Sequence, residues 1–307
     1  MGSMSPPERQ AFTGPQDVSP DIAVLPPQDR DAFAALATQG RLPGQNVELH
    51  FVPIHDLKRH RVTTFFCTPV FCVQDAPIIY GYRAFQNVGV RELPYIDRAI
   101  LAHAVKFARR LAASGTVAAI GTSVHYETLA WSKGREIYQH ALRAAGVADY
   151  PFLILNIEDV PEGVASGKLA EVVSAVRSYV KRIFLRLPNT ETSVLHCGHL
   201  GISGLTMTLP PRATRVAAMG TAKWLLRECE AQNAHSCMDG IDNEACRELV
   251  VLAGIHFGAG SALGTRDFRG DANPADVEGY MEEASRVFAN ENGKPENPDH
   301  HGAHLHA

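Results

Sequence analysis

Two periods of apolar residues alternate along the middle of the chain. Val47 to Ile54 and Val62 to Phe66 are short β-like runs joined by the polar segment His55 to Arg61, which predicts an initial strand pair. Tyr95 to Ala113 then places Ile96, Ile100, Leu101, Ala104, Val105, Ala108 and Leu111 on one helical face, closed by Ser114-Gly115. Strand Val117 to Val124 follows, with a helix from Tyr126 to Ala145 interrupted near Lys133-Gly134 and a strand from Phe152 to Ile157. Helix Leu169 to Val180 leads to strand Arg182 to Leu187. After an irregular connection, strand Leu205 to Leu209 leads to helix Ala213 to Cys229. The set closes with His235 to Met238, Asn243 to Leu252 and Ile255 to Phe257 as strand, helix and strand. Such alternation predicts an α/β chain of parallel strands wrapped by helices, and a strand count near eight favours a closed TIM-like (β/α)8 barrel. An open doubly wound sheet is the alternative, although no GxGxxG or Walker-type phosphate loop follows the first strand.

The flanks read differently. Residues 1–45 are rich in Pro, Gln, Asp and Gly, with one short helical pattern at Asp29 to Ala37, and are expected to form a flexible leader or linker. Met1-Gly2-Ser3 ahead of Met4 reads as an expression remnant, and Leu25-Pro26-Pro27 as plain linker. The barrel is expected over 46–270. The segment 271–307 reads as a partly disordered tail with a short helix at Asp276 to Ala289 and a cluster of His300, His301, His304 and His306.

Composition narrows the function classes. Of 307 residues, 45% are hydrophobic and 20% charged, enough apolar side chain for a sizeable core. The net charge of −4, without a run of Lys or Arg, argues against direct nucleic-acid binding. The six cysteines are scattered, with no CxxC pair and no signal peptide, so reduced thiols and a cytoplasmic location are expected. The longest apolar stretches, Pro151 to Ile157 and Leu249 to Ile255, fall far short of the roughly 20 residues of a membrane-spanning helix. His196-Cys197-Gly198-His199 lacks standard zinc spacing and reads as a loop.

Several segments, in order, resemble one family. Leu49-His50-Phe51-Val52-Pro53-Ile54-His55-Asp56-Leu57 is similar to the opening strand of EAL domains, usually Gln-Pro-Ile followed by Asp-Leu; Pro53 and Asp56-Leu57 match. Met238-Asp239-Gly240-Ile241-Asp242-Asn243-Glu244-Ala245-Cys246 resembles the family's Ala-Glu-Gly-Val-Glu-Thr-Glu-Glu-Gln, and Gly254, Ala259-Gly260 and Gly264 follow without a gap. The resemblance spans about residues 47 to 265. It implies a barrel of the EAL type with its first strand antiparallel. In active members that fold hydrolyses cyclic di-GMP with two Mg²⁺ or Mn²⁺ ions held by carboxylates at the strand ends.

Carried across residue by residue, the resemblance implies a degenerate site. The name-giving Glu-Ala-Leu falls on Phe66-Cys67-Thr68. The metal-binding Asn falls on Ser123, a ligand Glu on Asn156 within Leu155-Asn156-Ile157-Glu158-Asp159, and the paired Asp on Arg186 and Leu187. The Lys-Ile-Asp strand falls on Thr206 and Thr208, and the family's Gln on Ala259; Asp239 and Asp242 retain carboxylates. One or two carboxylates cannot hold two hard cations, and Arg186 would place a permanent positive charge among them. Phosphodiesterase activity is therefore expected to be lost, with no cofactor. For Phe66 and Leu187, apolar packing that fills the emptied mouth and a retained role stand as equal expectations. Arg186 is expected to pair with Asp239 across the barrel, ahead of a bidentate contact to a phosphate of cyclic di-GMP.

The resemblance then implies a regulatory protein whose partner is another protein, as for non-catalytic members in bacterial motility, biofilm and transcription control, with a homodimer possible. A metal-independent cyclic di-GMP receptor is the first alternative, and an enzyme of another class on an unrelated α/β fold the second.

Overall fold

The computed structural model describes residues 27–43, 45–72, 78–85, 88–147, 152–188 and 200–292. Helix α1 (Pro27–Gln39) and the short strand β1 (Arg41–Leu42) precede β2 (Val47–Asp56) and β3 (Arg61–Phe71), the predicted antiparallel pair. Then come β4 (Ile79–Tyr80), α2 (Leu93–Ala113), β5 (Ala119–His125), α3 (Tyr126–Ala130), α4 (Ser132–Ala144), β6 (Leu153–Glu158), α5 (Ser166–Arg177) and β7 (Arg182–Arg186). The chain continues through β8 (Gly204–Thr208), α6 (Arg215–Gln232), β9 (His235–Asp239), α7 (Glu244–Ala253), β10 (Phe257–Gly258), β11 (Phe268–Arg269) and α8 (Pro274–Asn292).

Strands β3 and β5 to β10 run parallel in the order β3-β5-β6-β7-β8-β9-β10. Strand β2 lies antiparallel between β10 and β3 and closes the ring, so the expected eight-stranded barrel is present and the open sheet is not. Closure leaves no unpaired edge in the ring, which is why an inverted first strand is tolerated. Beyond β3's pairing with β5 at Thr64 to Cys67, the β2–β3 ribbon runs on toward the end of the barrel where the parallel strands finish.

The outer helices follow their sequence signals. All seven apolar positions predicted for α2 are buried. Thr214 caps α6 by accepting from the Ala217 N–H, and Asn243 caps α7 by accepting from the Cys246 N–H. The predicted break in the helix after Tyr126 falls at Trp131, two residues early, in extended conformation. Gly134 lies inside α4, where an added Cβ would stand 2.6 Å from the Thr128 carbonyl, so it permits contact rather than ending the helix.

The flanks need correction. The expected linker through residue 45 contains α1, which packs on α2 with Leu36 fully buried, and Lys106 donates to the Thr38 carbonyl at 3.0 Å. The expected tail contains α8, longer than the predicted short helix, and it lies against β3 with Val277, Tyr280 and Ala284 buried. Helix α1 offers only Phe33, Leu36 and Ala37 at i, i+3, i+4 spacing, too short a stripe to mark core membership without its docking partner, whereas α8 carries a longer one from Val277 through Tyr280, Met281 and Ala284 to Val287. Leu25-Pro26, the 196–199 cluster and the tail histidines lie outside the described residues.

Candidate functional site

Four consecutive parallel strands, β6 to β9, end on Glu158, Arg186, Thr208 and Asp239. Their side chains meet at the barrel mouth because each occupies the last position of its strand. Arg186 Nε donates to Glu158 Oε2 at 2.6 Å, Nη1 to Thr208 Oγ1 at 2.7 Å and Nη2 to Asp239 Oδ2 at 2.7 Å. Asn156, two residues before Glu158 on the same face of β6, donates through Nδ2 to Glu158 Oε1 at 2.6 Å.

The charges are set by partial burial. Burial opposes the charge on Arg186, but Glu158 and Asp239 outweigh it and hold the guanidinium protonated. Burial pushes the Glu158 carboxyl up, Arg186 pulls it down, and the anionic Asp159 and Asp239 push it up again, leaving it above the ordinary range. One guanidinium thus serves two carboxylates, each bonded at short range.

The other predicted positions separate into two groups. Phe66, Ser123 and Thr206 form the barrel wall: the Phe66 ring covers Gly121, whose added Cβ would lie 2.1 Å from it. Ser123 stands level with Asn156, and Thr206 level with Arg186 on one side and Cys237 on the other. Leu187, Asp242 and Ala259 lie outside the network. Leu187 is buried past the end of β7, and its N–H donates to the Thr206 carbonyl at 2.9 Å. Asp242 Oδ1 accepts from the Ser261 N–H at 3.2 Å. Ala259 acts through its backbone, pairing with Met238 and Ile241 at 3.0 and 3.1 Å.

Glu158 was not among the predicted site residues. Its signal was present in the spacing, two residues after Asn156 on one strand face, but it stands where the EAL pattern has a Thr. A second network adjoins the mouth. Buried Asp97 accepts from the hydroxyls of Tyr82 and Thr128 and from the His125 N–H at 3.1 Å, while His125 Nε2 lies 3.2 Å from Asp159 Oδ2. Burial pushes the Asp97 carboxyl up to about 6 against those donors.

The donor set does not fit a pair of hard cations. Glu158 and Asp239 each give an oxygen to Arg186, whose guanidinium stands between them; Asp159 faces His125, and Asp242 holds the Ser261 loop. Two Mg²⁺ ions need a shared cage of anionic oxygens, and in this mouth an internal cation already stands between the two nearest carboxylates.

No family model and no curated protein sequence matches the chain. Solved structures do. A PaMucR phosphodiesterase in complex with c-di-GMP superposes with a TM-score of 0.58 at 16% identity, covering 77% of this chain and 96% of that one. An EAL domain protein from Listeria monocytogenes gives 0.55 at 12%, covering 82% and 96%. The FimX EAL domain of Xanthomonas citri with c-diGMP gives 0.52 at 13%, covering 80% and 94%. At such identities the likeness speaks for backbone architecture, and together with the inverted first strand it establishes that this chain has the EAL-type barrel fold.

Proposed function

We propose that this chain is a non-catalytic regulatory protein built on an EAL-type barrel, acting through another protein in bacterial cyclic di-GMP signalling. One observation carries the reading: Arg186 is bound on three sides by Glu158, Thr208 and Asp239 where metal-holding carboxylates would have to stand. At ~4 Å and an effective dielectric near 20, a guanidinium and a divalent ion repel by roughly 8 kcal/mol. Phe66 over Gly121 adds apolar packing to the same interior.

The second reading, a metal-independent nucleotide receptor, is favoured by the c-di-GMP complexes of the PaMucR and FimX structures. Against it, the three nitrogens of the Arg186 fork are already bonded within the protein. Titration calorimetry with cyclic di-GMP, with and without Mg²⁺, separates the readings when combined with a hydrolysis assay in Mn²⁺. The non-catalytic reading predicts no turnover and weak or absent binding. A Kd below ~10 µM, about 7 kcal/mol, makes the chain a receptor, and turnover by pure protein removes both readings.

A further inference from the structure

A second cluster stands apart from the Arg186 network, on the β2–β3 ribbon beyond the barrel. Glu48 and His50 are two residues apart on β2 and share a face. Cys72 follows the end of β3, and its N–H donates to the Asn46 carbonyl at 2.8 Å, which ties it to the start of β2. These three side chains offer a carboxylate oxygen, an imidazole nitrogen and a thiol sulfur that lie within 4.8 Å of one another. We propose that Glu48, His50 and Cys72 form a zinc-binding site, with water in the fourth position.

The donor types and spacing suit that ion. Zinc takes Cys, His and Glu together in a tetrahedron, with bonds of about 2.0–2.3 Å, so ligand atoms stand roughly 3.3–3.8 Å apart. His50 Nε2 and Glu48 Oε2 are already 3.5 Å apart. His50 Nε2 is buried with no hydrogen-bond partner. Its other nitrogen, Nδ1, lies 3.5 Å from Asp267 Oδ2, and Tyr80 Oη donates to that same oxygen at 2.9 Å. A proton on Nδ1 directed at Asp267 leaves the Nε2 lone pair facing Glu48 Oε2, the carboxylate–histidine–metal arrangement.

Charge supports the same assignment. Arg269 Nη2 holds Glu48 Oε1 at 2.8 Å, leaving Oε2 to face His50. With Asp267 also present, two carboxylates face one guanidinium before any thiolate forms. A divalent cation reverses that field and releases the thiol proton on binding. Access is open: Cys72 is exposed, and a cavity of about 360 Å³ is lined in part by Glu48, Cys72 and Arg41.

The test titrates the full-length chain with Co²⁺, which reports thiolate ligation by charge-transfer absorption in the near ultraviolet, and then displaces it with Zn²⁺. The expected result is one thiolate-bound cobalt, lost on Zn²⁺ addition. Cys72→Ser abolishes the band, and Asp267→Asn, which frees the His50 ring, weakens affinity about 10–100-fold. Cys197→Ser leaves the band unchanged, and the tail histidines, having no sulfur, cannot produce it. Zn²⁺ also raises the denaturation midpoint of the parent and not of Cys72→Ser, whose metal-free midpoint matches the parent because Cys72 is exposed. A band that survives in Cys72→Ser overturns the proposal. So does the absence of any band in the parent.

Discussion

Arg186 of β7 reaches over β8 to Asp239 of β9 at 2.7 Å while its Nε holds Glu158 of β6 at 2.6 Å. One side chain therefore spans four strands, and two poorly solvated carboxylates depend on it.

Replacing Arg186 with Met leaves both carboxylates without their cation. The expected cost is on the order of 3–5 kcal/mol in urea denaturation at neutral pH, because the penalty is that of uncompensated buried charge. Combining Arg186→Met with Glu158→Gln recovers part of it. A loss below ~1 kcal/mol would class the network with exposed ion pairs and remove its structural importance.

Gly121 and Phe66 make a second coupled pair. Gly121→Ala forces a methyl group to within 2.1 Å of the present Phe66 ring position and is expected to cost on the order of 1–3 kcal/mol. In a Phe66→Leu background the same change costs less. A double-mutant cycle reads the coupling, and additive effects would show that the ring does not fill this part of the barrel.

Helix α1 is tested through Leu36, which is fully buried. Leu36→Ala is expected to destabilise the whole chain by about 2–5 kcal/mol in a single cooperative transition. A change within ±0.5 kcal/mol would instead return residues 27–39 to the status of a linker.

Two buried groups pull on stability in opposite directions over one pH interval. Burial lowers His55 from 6.5 to about 4, so the unfolded chain takes the proton first; this contribution is complete above pH 6.5 and is lost as pH falls toward 4. Burial raises Asp97 from 3.8 to about 6, so the unfolded chain loses the proton first; this contribution is complete below pH 3.8 and is lost as pH rises toward 6. Each amounts to on the order of 3 kcal/mol. The two largely offset, with Glu158, also raised by burial, adding to the Asp97 side. Asp97→Asn is expected to unmask stability that climbs between pH 4 and 6.5, and His55→Asn stability that declines. Denaturation midpoints measured across that range check the signs; parallel pH profiles for parent and variants contradict both.

The barrel was legible because its signals are local. The apolar stripe of α2 and the alternation of strand with helix depend on neighbours a few residues apart, whereas Arg186, Thr208 and Asp239 are assigned to one mouth only through the family resemblance. The inverted first strand came only with the family resemblance. Docking of the flanking helices was less legible: α1 and α8 read as helices within flexible flanks until the surfaces that bury Leu36 and Val277 are in view.

Contacts across strands needed the folded chain. Glu158 reads as an ordinary strand-end acid until β7 delivers a guanidinium to it. Cys72 is far in sequence from Glu48 and His50, and antiparallel pairing of β2 with β3 brings them together. Periodicity records which face a side chain takes, whereas its charged partner depends on register between strands, and register is set by closure of the entire ring.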